Sequence, residues 1–160
     1  MSKTAVIYYS MTGNTEYVAK EIEKNLNVDI IKINPIKEYP NKGFKKFFWG
    51  GKSAVMKETP ELEKYDFNEN KYENIIIGTP VWASTFSPPI RSFINENKDK
   101  LKNKNISIII CNSGGGADKT IEKLRQYLDI KDFKEKLVLV DPKDKEENIN
   151  IIKEFCNKIG

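Results

Sequence analysis

Apolar residues fall along this chain in two alternating rhythms. Thr4-Ala-Val-Ile-Tyr-Tyr9 is a short, almost unbroken apolar run, the pattern of a strand covered on both faces. From Asn14 to Leu26 the apolar and small residues recur as Val18, Ala19, Ile22 and Leu26 with Glu and Lys between them, a helical period. Val28–Ile33 predicts a second strand, ended by Pro35. Asn74–Gly78 and Ile106–Cys111 predict two more, each leading through a loop into a helical pattern. The first of these helices covers roughly Pro89–Lys98, with Ile90, Phe93 and Ile94 on one face. The second covers roughly Ala117–Leu128, with Ile121, Leu124 and Leu128. A shorter strand, Lys136–Val140, precedes a last helix from about Lys145 to Lys158, striped by Ile149, Ile152, Phe155 and Ile159.

The order is strand and helix in alternation, which predicts an α/β fold: a doubly wound, five-stranded parallel sheet with helices on both faces in three layers, joined by right-handed crossovers. The 160 residues suit a single domain spanning 1–160, with an irregular insertion at about 34–72. At 39% hydrophobic and 31% charged residues the composition is that of a globular chain. No apolar run is long enough to span a bilayer, and strand-like sequence begins almost at the first residue, so the expectation is a cytoplasmic protein without a signal peptide.

What is missing narrows the chemistry. There is no histidine, which removes imidazole acid–base catalysis, Ser-His-Asp triads and most zinc sites. The two cysteines, Cys111 and Cys156, form no CxxC pair and suit two reduced thiols. Redox chemistry on this chain therefore calls for an organic cofactor.

The first strand runs into Ser10-Met11-Thr12-Gly13-Asn14-Thr15 and then a helix. Small hydroxyl and amide residues around a glycine, at a helix N-terminus, suit a phosphate held by backbone N–H groups and the helix dipole. No lysine or arginine lies in this loop, so the donors would be neutral. The same residues also suit a plain helix cap by Thr12 or Asn14. Competing nucleotide motifs fail. Gly51-Lys-Ser53 would need its first P-loop glycine at Lys46, Gly114-Gly-Gly-Ala-Asp118 is not GxGxxG, and a phosphatase loop at Cys111 would meet Ala117 where arginine is required.

Tyr9-Ser-Met-Thr-Gly-Asn-Thr-Glu16 resembles the (S/T)-x-T-G-N-T phosphate loop of flavodoxins, and the element order resembles that family over nearly the whole chain. The resemblance implies sheet order 2-1-3-4-5, with FMN at the carboxyl ends of the strands near the switch point. Thr79-Pro80-Val81-Trp82-Ala83, after the third strand, resembles the stretch that contacts the isoalloxazine in such proteins. Trp82 offers a π-face to stack on the ring; its alternative role is to pack beneath the loop. Asn112-Ser113-Gly114-Gly115-Gly116, after the fourth strand, allows close backbone approach to a ligand or serves as a plain turn. It lacks the aromatic and acidic residues usual there in flavodoxins, which implies a flavin face that is open or covered from elsewhere.

In this reading the potential belongs to the flavin and the protein tunes it. The resemblance places the partner of flavin N5 in the backbone around Trp82–Ala83, where many flavodoxins have a glycine that lets the peptide flip. No acid lies between Thr79 and Pro89 or between Asn112 and Ala117. A unit charge about 8 Å away at an effective dielectric near 20 is worth roughly 2 kcal/mol, on the order of 90 mV for one electron. The fully reduced flavin should therefore be a weaker reductant here than in acidic flavodoxins.

Net charge is +4, and the excess is concentrated: Lys37–Lys57 holds six lysines and one acid, whereas Glu61–Glu73 holds five acids and two lysines. Within the first stretch Phe44, Phe47, Phe48, Gly51 and Val55 fall on one helical face. Three roles suit it: a short helix packing its aromatics on the sheet or beside the flavin, a docking surface (42–57) for an acidic redox partner, or contact with a membrane surface. One basic segment without a recognised module does not make a nucleic-acid-binding protein. The sequence expectation is an FMN-binding electron carrier acting between redox partner proteins. Two alternatives stay open: an FMN-dependent NAD(P)H:quinone or small-acceptor reductase, and a flavin-binding module that activates a partner.

Overall fold

The computed structural model describes residues 3–39, 52, 54 and 56–160. β1 (Thr4–Tyr8) is buried along its whole length. It lies between β2 (Asp29–Lys32) and β3 (Asn74–Trp82), parallel to both. β3 then pairs with β5 (Asn105–Asn112), and β5 with β6 (Lys136–Val140), again in parallel. Counting only the parallel strands, the order is 2-1-3-4-5, as expected. The sixth strand, β4 (Thr85–Phe86), is a two-residue addition that folds back antiparallel on the end of β3.

Period-two alternation sends the side chains of each strand to two separate cores. Ala5, Ile7, Ile75, Ile77, Ile108 and Ile110 face one way and meet Ile90, Phe93 and Ile94 of α2 (Pro88–Asn97) and Leu124 and Leu128 of α3 (Ala117–Leu128). Val6, Tyr8, Ile76, Ile109, Leu137 and Leu139 face the other way and meet Val18, Ala19 and Ile22 of α1 (Asn14–Asn25) and Ile152, Phe155 and Ile159 of α4 (Asn148–Ile159). This is the doubly wound, three-layer arrangement. The edge strand β6 is covered on one face only: Leu137 and Leu139 are buried, while Val138 and Val140 are exposed.

Two boundaries differ markedly from the sequence expectation. β3 does not stop at Gly78 but continues through Trp82. Thr79 and Pro80 still pair with Ile110 and Cys111 of β5, and Val81 and Trp82 pair with Phe86 and Thr85 of β4, a reversal that no apolar period announces. The last helix begins at Asn148 rather than about Lys145, because a 3₁₀ turn at Pro142–Asp144 intervenes. Within the insertion, Pro35 bridges Leu62, Ile36 N–H donates to Glu61 O, and Ser92 Oγ donates to Pro60 O. The stretch 56–72 is thus tied down against β2 and α2. The basic aromatic segment 42–57 lies largely outside the described residues. Of those that are described, Lys52 and Ala54 are helical, Ala54 is buried and Met56 is exposed.

Candidate functional site

The loops leaving the carboxyl ends of β1, β3 and β5 converge on a cleft of about 290 Å³. In an open parallel sheet this is the edge at which ligands sit. Its two ends have different chemistry.

One end is the turn into α1. Gly13 is the N-cap, in the left-handed region at φ 96°, and no side chain caps the helix. That settles the alternative raised for Thr12 and Asn14: neither is a cap. The first-turn N–H groups have no intrahelical acceptor and face the loop. Ser10, Met11, Thr12, Asn14 and Thr15 line the cleft. Gly13 stands outside the lining, and its own N–H donates to Ser10 Oγ at 3.2 Å. The turn sits tight on the sheet because Gly78 has no side chain. A Cβ there would lie 2.9 Å from Thr15 Cγ2 and 3.1 Å from Tyr8 Cβ.

This end also has a cation that the loop sequence does not contain. Lys143, 131 residues later in the turn between β6 and α4, donates from Nζ to Thr12 O at 2.7 Å. Its backbone N–H donates to Asn14 Oδ1 at 3.4 Å. A positive charge thus stands beside the loop's own neutral donors, although Lys143 does not line the cleft. Nearby, Glu16 accepts from Tyr8 Oη at 3.1 Å and from Lys32 Nζ at 3.2 Å. Its hydrogen bond to Lys32 is the chief cause of a carboxyl pKa below the usual range. That acid is thus paired away from the helix N-terminus.

The other end is the β3–β4 hairpin. Pro80, Val81, Trp82 and Ala83 line the cleft, joined by Ser84, which the sequence reading missed. Ala83 and Ser84 form the two-residue turn, both left-handed at φ 50° and 58°. Ala83 thus already occupies a conformation that favours glycine. Trp82 is half-buried and gripped edge-on by Tyr9, at 5.6 Å and 87°, and by Tyr39, at 5.2 Å and 85°. It packs against the core and also lines the cleft. Tyr9 is only 4% exposed, and burial pushes its phenol well above the usual range.

Thr79 does not reach the cleft. It is fully buried, and its Oγ1 accepts the Ser87 N–H at 2.9 Å, which fixes the entry into α2. Gly116 also stands behind the wall. It caps α3 at φ 89°, and a Cβ there would lie 3.0 Å from Ser84 Oγ and 3.1 Å from Val81 Cγ1. Asn112, Ser113, Gly114 and Gly115 do line the cleft, as does Cys111 on its floor. Asn112 uses its side chain to brace the loop, accepting from Gly115 N–H and donating to Leu139 O. Burial pushes the Cys111 thiol up to about 12. Ser113 Oγ donates to Asp141 Oδ1 at 2.8 Å, so an acid from the β6–α4 turn stands beside a loop whose own sequence has none.

A parallel sheet ordered 2-1-3-4-5, with its cleft over the β1 turn, is the architecture of a flavodoxin-type domain. The flavodoxin family model matches residues 3–155, and the chain belongs to that family. Among solved structures it is similar to a flavoprotein from Lactobacillus acidophilus NCFM in complex with FMN, at 17% identity and TM-score 0.74, covering 94% of this chain and 98% of that one. A Bacteroides eggerthii protein provisionally assigned as a flavoprotein superposes at 21% identity and TM-score 0.78, over 98% and 97% of the two chains. The two-electron reduced flavodoxin of Megasphaera elsdenii does so at 17% identity and TM-score 0.61, over 96% and 98%. At these identities the likeness is one of fold. No curated protein matches the sequence.

Proposed function

We propose that this chain binds FMN in the cleft and carries electrons between redox partner proteins. The observation that carries the reading is the polarity of the cleft. One end offers an uncapped helix N-terminus, the side chains of Ser10, Thr12, Asn14 and Thr15, and the Lys143 ammonium. The other offers Val81 and Trp82. A phosphate tail suits the first and a flat heterocycle the second. When bound, FMN supplies the redox chemistry.

The chain's own residues do the rest. The α1 turn and Lys143 hold the phosphate by charge-assisted hydrogen bonds. Trp82, immobilised by Tyr9 and Tyr39, gives the ring a rigid wall. Ala83 and Ser84 close the cleft at the hairpin end, and Gly114 and Gly115 keep the opposite wall thin. The loops are poor in acids, and Asp141 adds one negative charge at their edge. Among the described residues no helix is long and apolar enough to cross a membrane, and a cytoplasmic carrier is in keeping with that. The lysine-rich segment 42–57 is the docking surface we assign to an acidic partner.

The test is direct. The purified protein, incubated with excess FMN and freed of unbound flavin, should be yellow and release FMN on denaturation. Protein that stays colourless overturns the reading. Reduction and oxidation by protein partners should slow as salt rises; rates indifferent to ionic strength remove the docking assignment. Steady-state oxidation of NAD(P)H by the loaded protein alone would move it to the reductase class.

A further inference from the structure

A second cavity, of about 550 Å³, lies on the other side of the Ala83–Ser84 turn, and Ala83 lines both. Its apolar walls are Ala54, Phe86 and Tyr127. Its charged residues are Arg91, Lys57 and Lys123, and no Asp or Glu lines it among the described residues.

Arg91 is the unusual member. It sits in the first turns of α2 and is 8% exposed. Its guanidinium lies 4.3 Å from the Phe86 ring centroid and 4.7 Å from that of Tyr127. Among the described residues no carboxylate is within ion-pair distance of it, and residues 40–51, 53 and 55 contain no Asp or Glu. A buried charge normally has a counter-charge, and two aromatic faces replace only part of the lost hydration. Burial accordingly lowers the Arg91 pKa, with a hydrogen bond to the Tyr127 side chain acting in the opposite sense. A second observation lies in the same wall. Thr85, which lines the cavity, has a buried Oγ1 with no hydrogen-bond partner, alone in this among the side-chain polar atoms described. At the rim, Lys123 Nζ donates to Ser84 O at 3.1 Å.

We propose that this cavity binds a small organic oxyanion, a carboxylate or a phosphate on a flat apolar body, with Arg91 as its counter-charge. Phe86 and Tyr127 already flank the guanidinium, and a flat apolar body would pack beside these rings. Lys57 and Lys123 supply attraction at the rim. The site does not depend on the flavin reading. Where both hold, the anion lies one turn from the ring end of the cleft.

Calorimetric titration at low salt tests this with three probes: benzoate, adenosine 5′-monophosphate and the neutral benzamide. At least one anion should bind ten-fold or more tightly than benzamide. Benzoate alone points to a carboxylic acid as the source, and the nucleotide alone to a phosphate. Arg91→Gln should weaken that binding at least ten-fold. Lys123→Gln, on the exposed face of α3, should weaken it several-fold and reduce its salt dependence, and it decides the matter if Arg91→Gln does not fold. The proposal is overturned if neither anion outbinds benzamide, or if Lys123→Gln and a folded Arg91→Gln both bind like the parent. Titrating FMN-loaded and flavin-free protein, with flavin content read from visible absorbance, separates this outcome from failure of the flavin reading.

Discussion

The two ends of the cleft are built on opposite plans. At the α1 end, β1 passes into a helix through a turn of a few residues, and the donors are neighbours in sequence. At the hairpin end, β3 overshoots the sheet by several residues, reverses through Ala83 and Ser84, and only then enters α2. The first end depends on one missing side chain beneath it, at Gly78; the second on one missing side chain behind it, at Gly116. Both ends must lie close to a neighbouring element, and in each the close approach is possible only because a glycine stands at the contact.

The sharpest way to break this comparison is to fill those two places. Gly78→Val puts branched carbon where even a Cβ meets Thr15 and Tyr8 at 2.9 and 3.1 Å. It should cost about 3 kcal/mol in urea unfolding and loosen the phosphate end. Gly116→Ala combines a left-handed φ with contacts at 3.0–3.2 Å to Ser84 and Val81, and should cost about 2 kcal/mol. If Gly116→Ala proves harmless, the hairpin does not lean on α3 as described.

Next in size is a dependence on pH that belongs to the floor between the ends. The Cys111 thiol has a folded pKa of about 12 against an ordinary 9.0. Below pH 9 both folded and unfolded chains hold the proton, so its contribution is fully present. Between 9 and 12 only the unfolded thiol ionises, and stability should fall by about 1.4 kcal/mol per pH unit from this group. Cys111→Ala should flatten the slope of unfolding free energy between pH 9 and 11 by that amount. An unchanged slope means that the thiol is not shielded in the folded protein.

Lys143→Gln sharpens the comparison from the phosphate side. The residue is exposed, so the expected loss is about 1 kcal/mol, roughly a five-fold weaker FMN affinity that fades with added salt. Riboflavin, which lacks the phosphate, should bind as before. Equal weakening of both would place Lys143 in loop folding rather than in phosphate recognition. The smallest effect belongs to the hairpin turn. Replacing Ala83-Ser84 by Asn-Gly, the pair that such turns favour, should raise stability by about 0.5–1 kcal/mol, visible as a higher thermal midpoint. A lower midpoint would mean that the alanine and serine side chains make contacts worth more than the backbone strain.

Much of this was legible before the fold was known, and the reason is locality. The Ser10–Thr15 turn, the strand positions and the helix stripes are written in adjacent residues, because strand and helix periods are short-range and a turn must choose residues for its own backbone angles. Two glycines in the signature also proved to work differently from first sight: Gly13 and Gly116 shape the walls by their left-handed angles and do not line the cleft. Thr79, inside an otherwise cleft-lining run, keeps its hydroxyl in the core, where it bonds Ser87, a partner eight residues on that the β3–β4 reversal brings within reach.

By itself, then, the amino-acid order determined the layers, the parallel topology and the loop that opens the first helix. Only the folded chain decided that Lys143 and Asp141 stand beside loops from which more than a hundred and some thirty residues respectively separate them. It alone also turned the end of β3 into a hairpin and left Arg91 in a wall with no carboxylate among the described residues. The physical reason is one of range. Backbone preference and hydrophobic period act between near neighbours, whereas charge placement and side-chain clearance depend on which distant segments the crossovers bring to the same edge of the sheet.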